Sequence, residues 1–174
     1  MRSILTYYSF SGNTDRVMKL FAGELRKRGE VDSQRLLPKD EIKDFIGQCR
    51  AARAYQRTEL GGKVDYDASP YDLIILGSPV WAFAPVPAMN TFLDDLSGLN
   101  GKRVIVLLTS GSGLGVKHCF KNIRRILENK GAATIDEVNI PDRRQKDEGF
   151  IVDLFKSVLE GKGKDKGCAC CRLL

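Results

Sequence analysis

The sequence predicts an α/β protein built on a doubly wound, five-stranded parallel sheet with helices on both faces. Apolar segments of strand length alternate along the chain with segments in which apolar residues recur at helical spacing. This alternation occurs five times, which is typical of a parallel sheet whose strands are connected by helices. Two of the apolar segments are almost continuous, as strands buried on both faces are.

The five predicted strands leave room for a helix between each pair. The two almost continuously apolar segments are residues 72–77 and 103–108. Residues 4–8 form a short apolar run near the N-terminus, and residues 31–36 and 133–140 are weaker strands that include more polar side chains. We expect all five to pair in one sheet because helical connections join parallel neighbours.

Five helices are predicted to cover the sheet. Apolar residues from Val17 to Leu25 indicate the first, and the others are expected at residues 40–57, 86–96, 116–130 and 148–159. In such a fold, ligands bind beyond the carboxyl ends of the strands, where the strand order reverses. The loops that follow the first, third and fourth strands are therefore the places to look for a site.

The first loop, directly after the first strand, has the composition of an anion site. A helix start offers free backbone N–H groups and the positive end of the helix dipole, and Gly12 lets the backbone turn sharply. No Lys or Arg lies between residues 3 and 15, which predicts a phosphate held by dipoles rather than by a cation. The alternative is a helix cap without a ligand. The loop consists of Ser9, Phe10, Ser11, Gly12, Asn13 and Thr14.

Other phosphate loops are excluded here by spacing. The first loop has no Gly-x-Gly-x-x-Gly pattern, so a dinucleotide turn is not expected. It also lacks Gly-Lys-Ser/Thr, which excludes the loop of nucleoside triphosphatases at this position. No paired carboxylates accompany the predicted loops, so general acid–base hydrolysis has no candidate residues, and the single histidine, His118, is given no role.

The second loop (Ser78–Pro85) and the third loop (Thr109–Gly115) should share an edge of the sheet with the first. The second contains the only tryptophan, Trp81, followed by Phe83, and the third is a glycine and serine turn that can bond a ring edge. Together the loops describe a site for a mononucleotide with a planar heterocycle, unless the two aromatic residues fold back on the core. The candidate residues are Ser78, Pro79, Val80, Trp81, Ala82, Phe83, Thr109, Ser110, Gly111 and Gly113.

In these three loops the chain resembles the flavodoxin-like FMN-binding flavoproteins, which include flavodoxins and NAD(P)H-dependent FMN reductases. The Ser-x-Ser-Gly-Asn-Thr sequence is similar to the family's phosphate loop, Gly-Ser-Pro-Val-Trp to its second flavin loop and Thr-Ser-Gly to its third. The resemblance runs from residue 1 to about residue 161. It implies an FMN whose phosphate rests on the first loop and whose isoalloxazine lies between residues 81–83 and residues 110–113.

The resemblance leaves the reaction open. The leading hypothesis is an electron carrier that acts on a redox partner protein, because Trp81 and Phe83 are bulky enough to cover a flavin. An NAD(P)H-dependent FMN or quinone reductase is the alternative. It is favoured by the net charge of +6 and by a second loop without acidic residues, since fewer negative charges make a reduced, anionic flavin less unfavourable. A non-redox binding module on the same fold is the third possibility.

Composition narrows the class of partner. The chain has no basic motif interleaved with aromatic residues, so nucleic acid is not an expected partner. It has no apolar segment long enough to span a bilayer and no signal peptide, which predicts a cytoplasmic protein that does not bind membranes. Lys43, Arg50 and Arg57 recur one heptad apart, and they form either a solvated face or a surface for an acidic redox partner or a nicotinamide phosphate.

The sequence predicts one domain over residues 1–161 and a flexible tail over residues 162–174. Glycine and lysine dominate the first half of the tail, and Cys168, Cys170 and Cys171 follow. Clustered cysteines can bind a soft metal or exchange disulfides, but these three lack a fourth ligand. Cys49 or Cys119 would have to complete such a site, and no metal-binding or catalytic residue is assigned.

Overall fold

The structure is a computed structural model that describes residues 1–161. Its sheet has five parallel strands in the order β2-β1-β3-β4-β5, which confirms the predicted doubly wound α/β fold. The strands are β1 (Arg2–Tyr7), β2 (Glu30–Arg35), β3 (Leu73–Pro79), β4 (Arg103–Ser110) and β5 (Thr134–Pro141). The strand order reverses between β1 and β3, so the carboxyl ends of these two strands mark the expected binding edge.

Five helices cover the sheet in two layers. They are α1 (Asn13–Arg26), α2 (Phe45–Arg53), α3 (Pro87–Asp95), α4 (Val116–Asn129) and α5 (Glu148–Leu159). Helices α1 and α5 pack on one face, where the rings of Phe21 and Phe155 stack with centroids 3.8 Å apart. Apolar residues of α2, α3 and α4 pack on the other face. Strands β3 and β4 lie between the two layers, which explains why their sequences are almost continuously apolar.

The second helix is shorter than its predicted range of residues 40–57. It begins after Asp44, whose side chain accepts a hydrogen bond of 2.6 Å from the Gly47 N–H and so caps the helix. It ends before Tyr55, which has a left-handed backbone with φ 51°. Lys43 and Arg57 therefore lie outside the helix. The expectation that Lys43, Arg50 and Arg57 share one face of this helix is wrong.

Two further sequence-based expectations concern membrane-spanning segments and cysteines. No helix within residues 1–161 is long and apolar enough to cross a membrane. Both cysteines of the described range are free thiols, and burial raises the pKa of Cys119 to about 12. The predicted tail, with Cys168, Cys170 and Cys171, lies outside the described residues.

Candidate functional site

The three candidate loops meet at the carboxyl edge of the sheet. The buried hydroxyls of Thr14 and Thr109 lie 2.8 Å apart and join the first loop to the third. The Val80 N–H donates to the Thr109 carbonyl over 2.9 Å, which joins the second loop to the end of β4. Parallel pairing of β1, β3 and β4 brings the three loops together because each loop follows the carboxyl end of one of these strands.

The first loop presents unused backbone N–H groups at the start of α1. Gly12 is the N-cap residue, with a left-handed φ of 86°, and no side chain caps the helix. Between residues 9 and 16, the N–H groups with acceptors in the described part of the chain are those of Asp15, which donates to Ser9 Oγ, and Arg16, which donates to the Gly12 carbonyl. The N–H groups of residues 11–14 are thus available to a ligand, and their number and position suit an anion.

Arg35 supplies a cation to this loop that the sequence analysis missed. Its Nη2 atom donates a hydrogen bond of 2.7 Å to the Ser9 carbonyl. The parallel register of β1 and β2 pairs Tyr7 with Arg35, so the end of β2 lies beside the first loop. The sequence analysis looked for a cation only within residues 3–15, whereas the neighbouring strand β2 brings one to the Ser9 carbonyl. The sequence feature that could have revealed it is the position of Arg35 near the end of the predicted strand of residues 31–36.

Asp15 is a negative charge on the same helix start. The Tyr7 hydroxyl donates to its carboxylate over 2.7 Å, and the Lys19 ammonium lies 2.7 Å from it. Partial burial by itself would raise the pKa of Asp15, but the hydrogen bonds from Lys19 and Tyr7 lower it overall. Burial, followed by the bond to Asp15, raises the pKa of Tyr7 to about 12. Asp15 therefore stays ionised and paired at neutral pH.

The second loop folds into a tight two-residue turn. Trp81 and Ala84 exchange both backbone hydrogen bonds, at 2.9 and 3.2 Å. The two residues between them, Ala82 and Phe83, have φ values of 45° and 72°, as a type I′ turn requires. A left-handed backbone costs a residue with a side chain roughly 1–2 kcal/mol, so the loop keeps this conformation against local preference.

The two aromatic residues of this loop have different environments. Trp81 is only 8% exposed, and its ring lies edge-on to the rings of Tyr8, Phe10 and Phe45 at centroid distances of 5.7, 5.8 and 6.3 Å. Phe83 is 52% exposed. Trp81 thus packs with the core of the α2, α3 and α4 layer, whereas Phe83 stays at the surface.

The third loop is in direct contact with the second. A Cβ atom added at Gly115 would lie 2.3 Å from the Phe83 ring and 2.7 Å from the Phe83 Cα atom. Gly115 has a φ of 79°, so its conformation and its lack of a side chain are both needed for this approach. Gly113 is also left-handed, with a φ of 76°, but a Cβ atom there would meet no other atom within 4 Å.

Residues at the end of β5 and directly after it contact the third loop, and the sequence analysis missed them. The Ser110 hydroxyl donates to Asn139 Oδ1 over 2.9 Å. Gln145 is buried, and its amide group donates to the Ile140 carbonyl over 3.2 Å and lies 3.5 Å from the Ser110 carbonyl. Asp142 places a carboxylate oxygen 3.6 Å from the position of a Cβ atom at Gly111. The hydrogen bonds of Asn139 and Gln145 join the loop to the end of β5.

The fold and the three loops define the class of flavodoxin-like α/β proteins. A family model described as Flavodoxin matches residues 48–139, which is more than half of the chain. The chain therefore belongs to the flavodoxin family. None of the curated proteins compared with it matches its sequence.

Solved structures with similar folds include three flavoproteins. A flavoprotein from Lactobacillus acidophilus, solved in complex with FMN, is 20% identical with a TM-score of 0.62, over 85% of this chain and 98% of that chain. Flavodoxin 2 from Bacillus cereus is 21% identical with a TM-score of 0.61, over 92% of this chain and 99% of that one. An archaeal flavodoxin is 18% identical with a TM-score of 0.58, over 91% and 99% of the two chains. These likenesses show the fold.

Proposed function

We propose that the protein binds FMN and transfers electrons to or from a protein partner. The observation that carries this proposal is the first loop, where the N–H groups of residues 11–14 surround the helix start and no protein group of the described chain accepts from them. Membership of the flavodoxin family supports the proposal, and the Lactobacillus acidophilus flavoprotein with a similar fold was solved with FMN.

The residues of the first loop fit a phosphate group. The hydroxyls of Thr14 and Thr109 bond to each other, which uses one of their two protons and leaves the other for a ligand. Arg35 donates to the Ser9 carbonyl and makes the potential around the loop more positive. Ser9 Oγ accepts from the Asp15 N–H, which fixes the loop conformation, and the Ser9 hydroxyl proton remains for a phosphate oxygen.

The second and third loops would hold the ring system. When bound, FMN supplies the redox chemistry, and the protein controls its position and its exposure to water. We expect the exposed ring of Phe83 to shield one side of an isoalloxazine, and the third-loop residues Ser110, Gly111 and Gly113 to offer polar groups for its edge. Asp142, beside Gly111, would place a negative charge near that edge.

An NAD(P)H-dependent FMN or quinone reductase is the second candidate, and one observation favours it. Trp81 is buried among Tyr8, Phe10 and Phe45, so Phe83 is the only aromatic residue of the second loop that is exposed for covering a flavin. A flavin covered on one side by a single ring leaves room for a nicotinamide. Steady-state oxidation of NADH and NADPH by the FMN-loaded protein, with a quinone as acceptor, distinguishes an enzyme from a carrier.

FMN binding is tested by titrating flavin-free protein with FMN. We expect a yellow complex with one FMN per chain and strong quenching of protein fluorescence, because the single tryptophan, Trp81, belongs to the second loop. Flavin absorbance after gel filtration measures the stoichiometry. A protein that stays colourless and shows no binding would contradict the proposal and leave a non-redox binding module as the function.

Replacing Arg35 by glutamine is expected to weaken FMN binding by about two- to fivefold, the range for a solvent-exposed charge interaction. The loss should shrink as salt is added, because salt screens the exposed guanidinium. Riboflavin, which has no phosphate, should bind equally well to both proteins. Arg28→Gln removes the same charge after the far end of α1 and serves as the control. Equal effects of the two substitutions would remove Arg35 from the phosphate site.

A further inference from the structure

A cavity outside the first and third loops lies beside the candidate flavin site. It has a volume of about 190 Å³ and lies between the segment that precedes α2, helix α2 itself and the start of α3. Tyr8 and Trp81 line it from the edge of the sheet, Asp40 and Glu41 from the preceding segment, and Gln48 from α2. No residue of the first or third loop lines this cavity, so Trp81 connects it with the candidate flavin site but does not make it part of that site.

One buried hydrogen-bond acceptor of this cavity, Gln48 Oε1, lacks a well-placed donor within residues 1–161. The Tyr8 hydroxyl lies 2.6 Å from a Glu41 carboxylate oxygen and 3.5 Å from Gln48 Oε1. A hydroxyl donates one proton, and the short bond to the carboxylate takes it. The Gln48 amide nitrogen donates to the Ile42 carbonyl, which fixes the orientation of the amide group. Gln48 is only 4% exposed, so a hydrogen-bond donor on a ligand would stabilise its buried Oε1 atom.

The cavity is negatively charged although the chain as a whole carries a net charge of +6. Among residues 1–161, Arg57 is the only basic residue that lines it. Its guanidinium forms two hydrogen bonds with Asp94, at 2.6 and 3.1 Å, and a third with the Tyr55 carbonyl. Because Asp94 neutralises Arg57, the carboxylates of Asp40 and Glu41 set the charge that a ligand meets.

Tyr8 contributes a donor rather than a charge. Burial, followed by the hydrogen bond to Glu41, raises the pKa of the Tyr8 hydroxyl, which therefore keeps its proton. The hydroxyl holds the Glu41 carboxylate in place, and the rings of Tyr8 and Trp81, edge-on to each other, give the cavity an aromatic wall. Aromatic walls attract cations as well as apolar groups. Ile42, Val86 and Pro87 add apolar surface.

From these features we propose that the cavity binds a small primary amine with an apolar body. The ammonium group has three N–H donors, which suit the Glu41 carboxylate and Gln48 Oε1, and its charge offsets one of the two carboxylates. The apolar part of the ligand packs against Trp81. A quaternary ammonium would satisfy the charge but not the Gln48 acceptor, and a carboxylate would meet like charge.

The test uses 2-phenylethylamine as the probe and the protein as purified. Calorimetry measures the affinity, and the indole N–H signal of the single Trp81 in a ¹H–¹⁵N NMR spectrum reports the location. We expect the amine to bind and to shift this signal. Three analogues of similar shape, 2-phenylethanol, 3-phenylpropanoate and the trimethylammonium derivative of the probe, should bind at least about tenfold more weakly, the loss for a missing charged or hydrogen-bonding partner.

Two variants separate the cavity from general charge effects. Glu41→Gln removes one carboxylate of the cavity and should weaken the amine by about tenfold or more. Glu59→Gln removes an exposed carboxylate that does not line the cavity and should leave the affinity unchanged. Gln48→Met keeps the size of the side chain and should abolish the preference for the primary amine over its trimethylammonium form.

Three results would overturn the proposal. They are the absence of binding, equal binding of the amine and 3-phenylpropanoate, or equal losses in Glu41→Gln and Glu59→Gln. The measurements are repeated with flavin-free and FMN-titrated protein. Amine binding by a protein that fails to bind FMN would leave this inference intact while contradicting the proposed function.

Discussion

Alanine at Gly115 is expected to destabilise the protein by about 2–5 kcal/mol, the sum of a left-handed backbone for a residue with a side chain and of a forced contact in a packed region. The added Cβ atom would lie 2.3 Å from the Phe83 ring and 2.7 Å from its Cα atom, and backbone cannot move aside as a flexible side chain can. The second loop would have to shift away from the third. We therefore also expect weaker FMN binding, because both loops are proposed to hold the ring system.

Gly113→Ala is the matched control for this substitution. Gly113 has a similar φ, 76° against 79° for Gly115, but open space where the Cβ atom would lie. It should show only the backbone cost of about 1–2 kcal/mol. Urea unfolding of the flavin-free proteins measures both free energies of unfolding. Equal losses for the two variants would mean that the second loop accommodates the added Cβ atom at Gly115 without a cost in stability.

The Thr14→Val substitution is expected to weaken FMN by about 10- to 150-fold, which corresponds to a hydrogen bond to a charged group of about 1.5–3 kcal/mol. Valine keeps the shape of the buried side chain but removes the hydroxyl that, with Thr109, retains one proton for the phosphate. Riboflavin should be affected far less, because it lacks the phosphate. Fluorescence titration with both flavins gives the two affinities.

Thr109→Val provides the comparison, because it breaks the same pair of hydroxyls from the other side. Thr109 belongs to the third loop and not to the helix start, so its loss should disturb both flavins to a similar and smaller extent. The role of Thr14 in phosphate binding would be refuted by equal losses of FMN and riboflavin in Thr14→Val. It would also be refuted if Thr109→Val discriminated between the two flavins as strongly.

The elements that the sequence predicts well are those with local causes. Strands β3 and β4 are buried on both faces, so their apolar runs identify them without any knowledge of their neighbours. The same holds for the turn at Gly12, because only a residue without a side chain takes its left-handed conformation without strain. The beginning of α2 was predicted poorly because it depends on a single capping hydrogen bond, from the Gly47 N–H to the Asp44 side chain.

Long-range pairing accounts for what the sequence did not reveal. Arg35 reaches the first loop because β2 pairs with β1 in a particular register, and Asn139 and Gln145 reach the third loop from the end of β5. The cavity combines Tyr8 with Glu41 and Gln48, which are 33 and 40 residues further along the chain. Periodicity and local motifs carry no information on such contacts.

Trp81 lines the cavity and also begins the turn proposed as a flavin wall, so it connects the two proposed binding sites. Two ligands that depend on one side chain are coupled, and the coupling is reciprocal by necessity. Whatever factor a bound amine applies to the affinity for FMN, bound FMN must apply to the affinity for the amine. If the amine also bound the reduced and oxidised forms with different affinities, its concentration would shift the reduction potential of the bound flavin.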